Sequence, residues 1–444
     1  MIKKFLLITL FISFSLNAYA ISLKEALSTA YKNNPEINAE RENLKISEEE
    51  LKISKSGYKP TLTISGSKGK ENTKELTNQS GGDASITDVD PLTTSITIEQ
   101  KIIDFGRDAD YQKNIIGIDL AKAKFKKKEQ DIFFKAVEAY TGLVLANEKY
   151  KINLENVNLL ERQVETDRIR LDRGEITVSD VAQSESSLAG AKANLIIAES
   201  EVVTNKLNFE NVIGPLTDLN SLSSDLAISI NLPNSLNNAL EVSRKNNPDL
   251  IISKLEYEQS EKDIKIAKSD LSPSASISFE KSYSEDLSTT YDEREKDILK
   301  ATVTWPFYSG GKNRAKLNKN KNLKTQKRLL LDSALKTNEA VVASAWSNFL
   351  SNQSLLESVN AQVKAAEIAN EGITAEYESG IGRTTLDVIQ SNSLLLSALI
   401  TRAESERNFI LSQFNLLKSI GLLNSSYLKT VSYTHLTLPT NGTV

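Results

Sequence analysis

Apolar positions along this chain follow two periods, and the switch between them divides it into elements. Thr61-Leu-Thr-Ile-Ser and Thr94-Ser-Ile-Thr-Ile98-Glu-Gln100-Lys-Ile102 alternate with period two, as do Ala275-Ser-Ile277-Ser-Phe279 and Ala301-Thr-Val303-Thr-Trp305. Alternation of this kind predicts strands with one apolar and one polar face, placed at 60–66, 93–104, 274–281 and 298–308. Polar stretches Lys68 to Asp90 and Lys281 to Lys296 read as loops between them, with Gly81-Gly82 as a turn signal. After Asp104-Phe-Gly106 and again after Ser309-Gly-Gly311, the chain runs without proline and nearly without glycine to Gly174 and Gly380. A helix of about 68 residues would reach roughly 100 Å. On the first rod Phe133, Ala136, Tyr140, Leu143, Asn147, Tyr150, Leu154, Val157, Glu161 and Val164 keep the three–four spacing of a coiled-coil seam. Ile389, Leu396, Ile400, Ala403, Ile410, Phe414 and Leu417 do the same on a returning helix.

The rods turn back sharply. Gly380 and Gly382 stop one helix, and Thr384-x-x-Asp387 is a capping-box pattern that starts the next. Gly174 followed by Thr177-x-x-Asp180 is an imperfect copy of the same reversal. The copying extends through the chain: Ser22-Leu-Lys-Glu-Ala-Leu, Lys32-Asn-Asn-Pro35 and Pro60-Thr-Leu-Thr-Ile64 recur from Ser235, Lys245 and Pro273 at a constant offset of 213. The chain is a tandem duplication, with a first repeat at 21–214, a linker at 215–234, a second repeat at 235–421 and a tail at 422–444 predicted to be disordered. The final stretch from Val431 fits neither repeat and receives no role. Within each half a short helix stops before Asn-Asn-Pro, and proline then suits the first turn of the next helix.

Composition narrows the function more than it suggests one. With only 9 prolines and 18 glycines in 444 residues, long uninterrupted elements are favoured over small domains. The net charge of -4 and the interspersed lysines and acids leave no basic patch for nucleic acid. There is no cysteine, and the only histidine, His435, lies near the end, which removes thiol chemistry, Cys/His metal sites and histidine acid–base catalysis from the body of the chain. No enzyme, no cofactor and no catalytic or metal residue is expected. Lys3 and Lys4, the apolar run Phe5–Leu16 and Ala18-Tyr-Ala20 have the form of a secretory signal, predicting removal of 1–20. No later run is apolar and long enough for a membrane helix, so membrane contact falls to the strands. Four amphipathic strands leave two unpaired edges that cannot sit in lipid, and closed membrane barrels begin at about eight strands. Several chains must therefore pool theirs, and three would supply twelve.

Together the signal peptide, the duplicated helix–Asn-Asn-Pro–helix unit, the paired strands ending in Asp104-Phe-Gly106 or Tyr308-Ser-Gly-Gly311, and the Gly382-Arg-Thr-Thr-Leu-Asp-Val388 turn resemble the TolC family of outer-membrane efflux and secretion channels, over residues 21 to about 425. The resemblance implies a mainly α fold with a small β part: tandem-duplicated antiparallel coiled coils forming a periplasmic α-barrel, and four strands per chain in a trimeric 12-stranded β-barrel in the outer membrane. It further implies a passive duct contacting outer-membrane lipid and docking on a periplasmic adaptor and an inner-membrane pump of the RND, ABC or MFS type. By the same resemblance the helix reversals form the periplasmic entrance, with Arg383, Tyr377 and Asp180 among the constraining residues and Asp387 in a ring at the constriction. Where many members carry a second aspartate this chain has Gln390, and one extra residue lies between Gly380 and Arg383 relative to some members. Asp180 and Asp387 also stand where capping-box carboxylates belong, so capping and gating are both open for them, and Arg383 could be a solvated turn residue. The competing class is a trimeric coiled-coil surface protein or adhesin with a small anchor, against which stands the twofold reversal of direction.

Overall fold

A computed structural model describes residues 21–73, 87–216, 218–223, 230–288, 291–380 and 382–429. The predicted signal stretch, the Gly81-Gly82 turn and the tail from Val431 with His435 lie outside the described residues. The elements run α1 (Leu23–Asn33), α2 (Pro35–Ser56), β1 (Thr61–Lys68), β2 (Glu71–Thr73), β3 (Thr87–Val89), β4 (Leu92–Ile103), α3 (Arg107–Asp172) and α4 (Val178–Val212) in the first half. After a 3-10 turn at Leu219–Ser221 come α5 (Leu236–Asn246), α6 (Pro248–Ser269), β5 (Ser274–Ser288), β6 (Tyr291–Thr304), α7 (Lys312–Glu378), α8 (Thr385–Ser419) and the short α9 (Ser425–Leu428). Among the described residues no helix is long and apolar enough to cross a membrane.

The chain divides into two compact units, the first built from residues up to Asn38, Lys128–Asn247 and the part from Glu339, the second from Ala39–Lys127 and Pro248–Asn338. In the first unit, Leu23, Leu27, Ile37, Phe133, Tyr140, Leu143, Phe209, Phe414, Leu417 and Ile420 make the core where the helix ends meet. Each half closes this region in the same way. The second asparagine of Asn-Asn-Pro donates its side-chain amide to the last turn of the returning helix, Asn34 to the Val212 carbonyl at 3.3 Å and Asn247 to the Ser419 carbonyl at 2.9 Å. Carbonyls at a helix C-terminus have no intrahelical partner; the duplicated motif supplies one, while its proline opens α2 or α6. Farther out, Val157, Leu160 and Ala191 knit α3 to α4, and Val359, Val363, Ala366 and Ala398 knit α7 to α8.

The coiled-coil register differs from the heptad count on α3. Beyond Leu143 the buried stripe passes through Ala146, Asn153, Val157, Leu160, Val164 and Asp167, whereas Leu154 and Glu161 are exposed. Two successive three-residue steps, Tyr140 to Leu143 to Ala146, move one of the two rows of the seam back by one position, while Val157 and Val164 keep theirs. On α8, Ala403, Phe414 and Leu417 are buried, but Val388 and Ala398 replace Ile389 and Ile400 on the inner face.

In the second unit, a four-stranded antiparallel sheet has the order β1-β4-β5-β6. The strands differ from their predicted limits, most in β5 and β6. The stretch 281–296 read as a loop is largely ladder, with Lys281 opposite Asp297, Ser282 opposite Lys296 and Tyr283 opposite Glu295. Backbone pairing continues there without apolar side chains because opposite charges and Tyr283 supply cross-strand partners. At the other end β6 stops at Thr304, so Trp305 to Tyr308 lie beyond the strand. The tail also needs correction near its start: Leu423 is fully buried, and Ser425 opens α9 with its amide donating to Glu129 at 2.8 Å.

Candidate functional site

Two regions carry features that a folded core does not require. The first is the sheet. Leu62, Ile98, Phe279 and Leu299 form one continuous rung across its four strands, and all four are open to the surroundings, from 42% for Phe279 to 76% for Leu299. Ile64 and Ile96 extend the same face. The opposite face carries Thr61, Glu99, Ser278 and Lys300 on its corresponding rung. An apolar face this exposed is a lipid or protein contact surface, and its polar reverse suits a water-filled lumen. Trp305, Phe307 and Tyr308 stand exposed below the strand ends, with the Trp305 indole donating to the Leu271 carbonyl at 3.1 Å. Amphipathic rings of this type favour a membrane–water interface.

The second region is the pair of helix reversals in the first unit. Each is closed by a capping box: the Thr177 hydroxyl faces the Asp180 amide and the Asp180 carboxylate accepts from the Thr177 amide, and Thr384 and Asp387 repeat the arrangement. Gly174, Gly380 and Gly382 take positive φ values of 73°, 74° and 65° at the turns, a region that glycine enters without steric cost. The hydrogen bonds from Thr177 hold the Asp180 carboxyl below its ordinary pKa, and those from the Thr384 backbone and side chain do the same for Asp387. Groups depressed in the folded state stabilise it above their unfolded pKa of about 4 and lose that contribution as pH falls through the folded value. Hydrogen-exchange protection of the Thr177 and Thr384 amides is therefore expected to hold down to about pH 4 and to fall below it while the mid-helix amides of α3 keep theirs; equal loss along the helix would show that the boxes do not control the turns.

A buried polar cluster joins the two reversals. Asp167 on α3 is fully buried and Tyr377 on α7 nearly so, and the Tyr377 hydroxyl donates to Asp167 Oδ1 at 2.8 Å. Gln163 donates to the same oxygen at 2.9 Å and the Ser184 hydroxyl donates to Oδ2. Thr385 Oγ1 lies 3.0 Å from the Tyr377 hydroxyl. Arg170 places its guanidinium over the Tyr377 ring, 4.2 Å from the centroid, and donates to the Tyr377 carbonyl at 3.2 Å. Burial is the main cause that raises the Tyr377 pKa, with the Asp167 carboxylate adding to it, so the phenol stays a neutral donor. One tyrosine thus bridges the ends of both coiled coils.

Among the residues singled out from sequence, Tyr377 is brought into this cluster. Arg383 lies outside it, pairing with Glu376 of its own turn at 2.6 Å and half exposed; within one chain it does not reach Asp180. Asp387 and Asp180 are engaged by their caps, and Gln390 is exposed on α8. The sequence reading missed Asp167, Arg170, Ser184 and Thr385. Asp167 gave no signal in the sequence, because the regular heptad leaves it off the seam and only the shifted register buries it, at a position where a charged residue needs partners.

A duplicated chain that presents an apolar-faced sheet through two open edges, and long coiled coils that end in linked reversals, has the build of one segment of a barrel channel. It matches the family described as Outer membrane efflux protein over residues 26–215 and 239–422, and it belongs to that family. The outer membrane efflux protein BepC of Brucella suis biovar 1 is 25% identical over 413 residues, 93% of this chain and 88% of that protein. The alkaline protease secretion protein AprF of Pseudomonas aeruginosa is 20% identical, covering 94% and 88%, and the outer membrane protein TolC of Escherichia coli is 21% identical, covering 93% and 84%. Among solved structures, the Campylobacter jejuni CmeC outer membrane channel superposes with a TM-score of 0.77 at 14% identity, over 93% of this chain and 90% of that one. The chain is an outer-membrane channel protein of the efflux and secretion class and not an enzyme. The exposed apolar rung is the face of the sheet suited to lipid contact.

Proposed function

We propose that the chain works as a homotrimer that forms the exit duct of a tripartite efflux pump or a type I secretion system, with a periplasmic adaptor and an inner-membrane pump of the RND, ABC or MFS type completing the path. The observation that carries this reading is the open sheet: β1 and β6 are edges with no strand partner among the described residues, and unpaired edges are not tolerated in hydrocarbon. Three copies would close twelve strands, within the range of membrane barrels and wide enough for a lumen. In this reading the duct is passive, and the pump supplies the energy. The linked reversals act as its resting closure: the Tyr377–Asp167 bridge holds the two hairpins of one copy together, and Arg383, on the exposed turn, engages a polar group of the neighbouring copy's reversal.

Native mass spectrometry in detergent tests the assembly, with a trimer expected; a monomer or dimer that still conducts would refute it. Planar-bilayer recording tests the closure. Arg383→Ser is expected to raise single-channel conductance with little change in trimer stability, because an exposed pair contributes only about 0.2–1 kcal/mol, which biases an open–closed equilibrium without holding a fold together. Unchanged conductance would leave Arg383 as a brace for its own turn.

A further inference from the structure

The tandem repeat contains a template for the contact between copies. In the second unit, α3 follows β4 and α6 precedes β5, so the β4–β5 pairing sets these helices side by side. Their register is fixed by Lys113 Nζ to Asp263 Oδ1 at 2.8 Å, by Lys127 to Asp249 at 2.5 Å, and by Gln259 donating to the Lys113 carbonyl at 3.3 Å. This is the junction between the first and second halves of one chain. At the outer edges, α2 leads into β1 and α7 leads out of β6. If β6 of one copy pairs with β1 of the next, α7 and the neighbour's α2 stand in the same relation as α3 and α6.

The repeat offsets carry the Lys113–Asp263 pair and the Gln259 contact position over, whereas Lys127–Asp249 maps onto Ser333 and Glu36 and is not kept, Glu36 pairing with Lys128 of its own chain. An offset of 213 relates α2 to α6, as Ser22 to Ser235, and 206 relates α3 to α7, as Ala139 to Ala345 and Gly174 to Gly380. Lys113 then corresponds to Lys319 and Asp263 to Glu50, which preserves both charges. Gly117 corresponds to Leu323 and Gln259 to Ile46, which replaces a polar contact by an apolar one. Within one chain these four residues are open: Ile46 is 55% and Leu323 38% exposed, and Lys319 and Glu50 are exposed with no ion-pair partner among the described residues. Ala109, on the face of α3 that α6 covers, is buried, whereas its counterpart Ala315 is exposed in a hollow along α7 shared with Lys319 and Leu323.

We infer that Lys319 and Leu323 on α7 of one copy dock on Glu50 and Ile46 on α2 of the next, so that the between-copy seam repeats the α3–α6 junction found inside each chain. The partner is therefore a second copy of this chain, in one register, and the inference rests on the ring assembly proposed above. The Lys319–Glu50 pair selects the register, and the Leu323–Ile46 contact removes apolar surface from water beside it.

The absence of cysteine makes the register measurable. In the full-length trimer, Lys319→Cys combined with Glu50→Cys is expected to give covalent dimers and trimers with a short bismaleimide. Glu50→Cys with Asp332→Cys, displaced thirteen residues or about 20 Å along the helix, is expected to stay monomeric on a denaturing gel. A charge test runs in parallel: Lys319→Glu should lower the fraction of trimer about five-fold at low salt, and adding Glu50→Lys should restore it. A native trimer in which the first pair fails to crosslink, or in which the double charge exchange restores nothing, overturns the seam while leaving the trimer standing. A chain that forms no trimer at all overturns the ring assembly on which the seam depends.

Discussion

Gly421→Ala is expected to destabilise the protein by about 3 kcal/mol or more, the largest effect of any single methyl addition among its described glycines. Gly421 ends α8 with a φ of 80°, and its amide donates to the Lys418 carbonyl at 3.1 Å while Leu422 reaches back to the Leu417 carbonyl at 2.9 Å. An alanine there would first have to occupy the left-handed region, at a cost of roughly 1–2 kcal/mol. Its Cβ would then lie 2.3 Å from the Asn246 carbonyl oxygen and 2.6 Å from the Asn247 amide nitrogen. Those atoms belong to the Asn-Asn-Pro junction, whose Asn247 side chain caps α8 at Ser419. The backbone cannot yield without releasing that cap. The repeat provides the control: Gly214 occupies the matching position with a φ of 133°, but a Cβ there meets only the Thr29 methyl, at 3.9 Å. Gly214→Ala should therefore cost the conformational strain alone. Urea unfolding of the purified protein, followed by helical circular dichroism, measures both; a loss at 421 no larger than the left-handed strain of about 1–2 kcal/mol would mean that the contact with Asn246 is not what requires glycine there.

This asymmetry between repeats marks the boundary of what the sequence could convey. The duplication, the helices, four of the strands, the two capping boxes and the edge problem were all legible, because each depends on local periodicity or on a short motif whose chemistry is complete within a few residues. The role of Asn-Asn-Pro was only half legible. Proline announces the start of α2 and α6, but the asparagine bond to Val212 or Ser419 spans 178 or 172 residues and leaves no local trace. The outer parts of β5 and β6 were hidden for a different reason: above the apolar rung both faces are polar, so hydropathy ceases to alternate although the ladder continues. Asp167 was lost to a single-residue slip of the seam. A heptad extended from Leu143 puts Leu154 and Glu161 inside, and the structure puts Leu160 and Asp167 there instead.

Asp167→Ala should produce the largest functional change in the chain, a conductance in planar bilayers well above that of Arg383→Ser. Asp167 accepts from Tyr377, Gln163 and Ser184 at once, so its removal strands the Gln163 amide and leaves Tyr377 and Ser184 only their second partners, Thr385 Oγ1 at 3.0 Å and the Asp180 carbonyl at 3.3 Å. An unsatisfied buried donor costs about 1–3 kcal/mol. The cheapest relief is for the α7–α8 reversal to move away from α3 and admit water. Tyr377→Phe isolates one link, since the ring can stay against Arg170 while the hydroxyl is gone. A hydrogen bond to a charged group contributes about 1.5–3 kcal/mol; because three copies move together, even about 1 kcal/mol per copy would shift an open–closed equilibrium by about 3 kcal/mol, on the order of 150-fold. In the linked series, conductance should therefore rise from wild type through Arg383→Ser and Tyr377→Phe to Asp167→Ala, with trimer content unchanged in the first three. If Tyr377→Phe and Asp167→Ala lower thermal stability yet conduct as wild type does, the cluster is a structural tie between coiled coils, and the closure lies elsewhere in the duct.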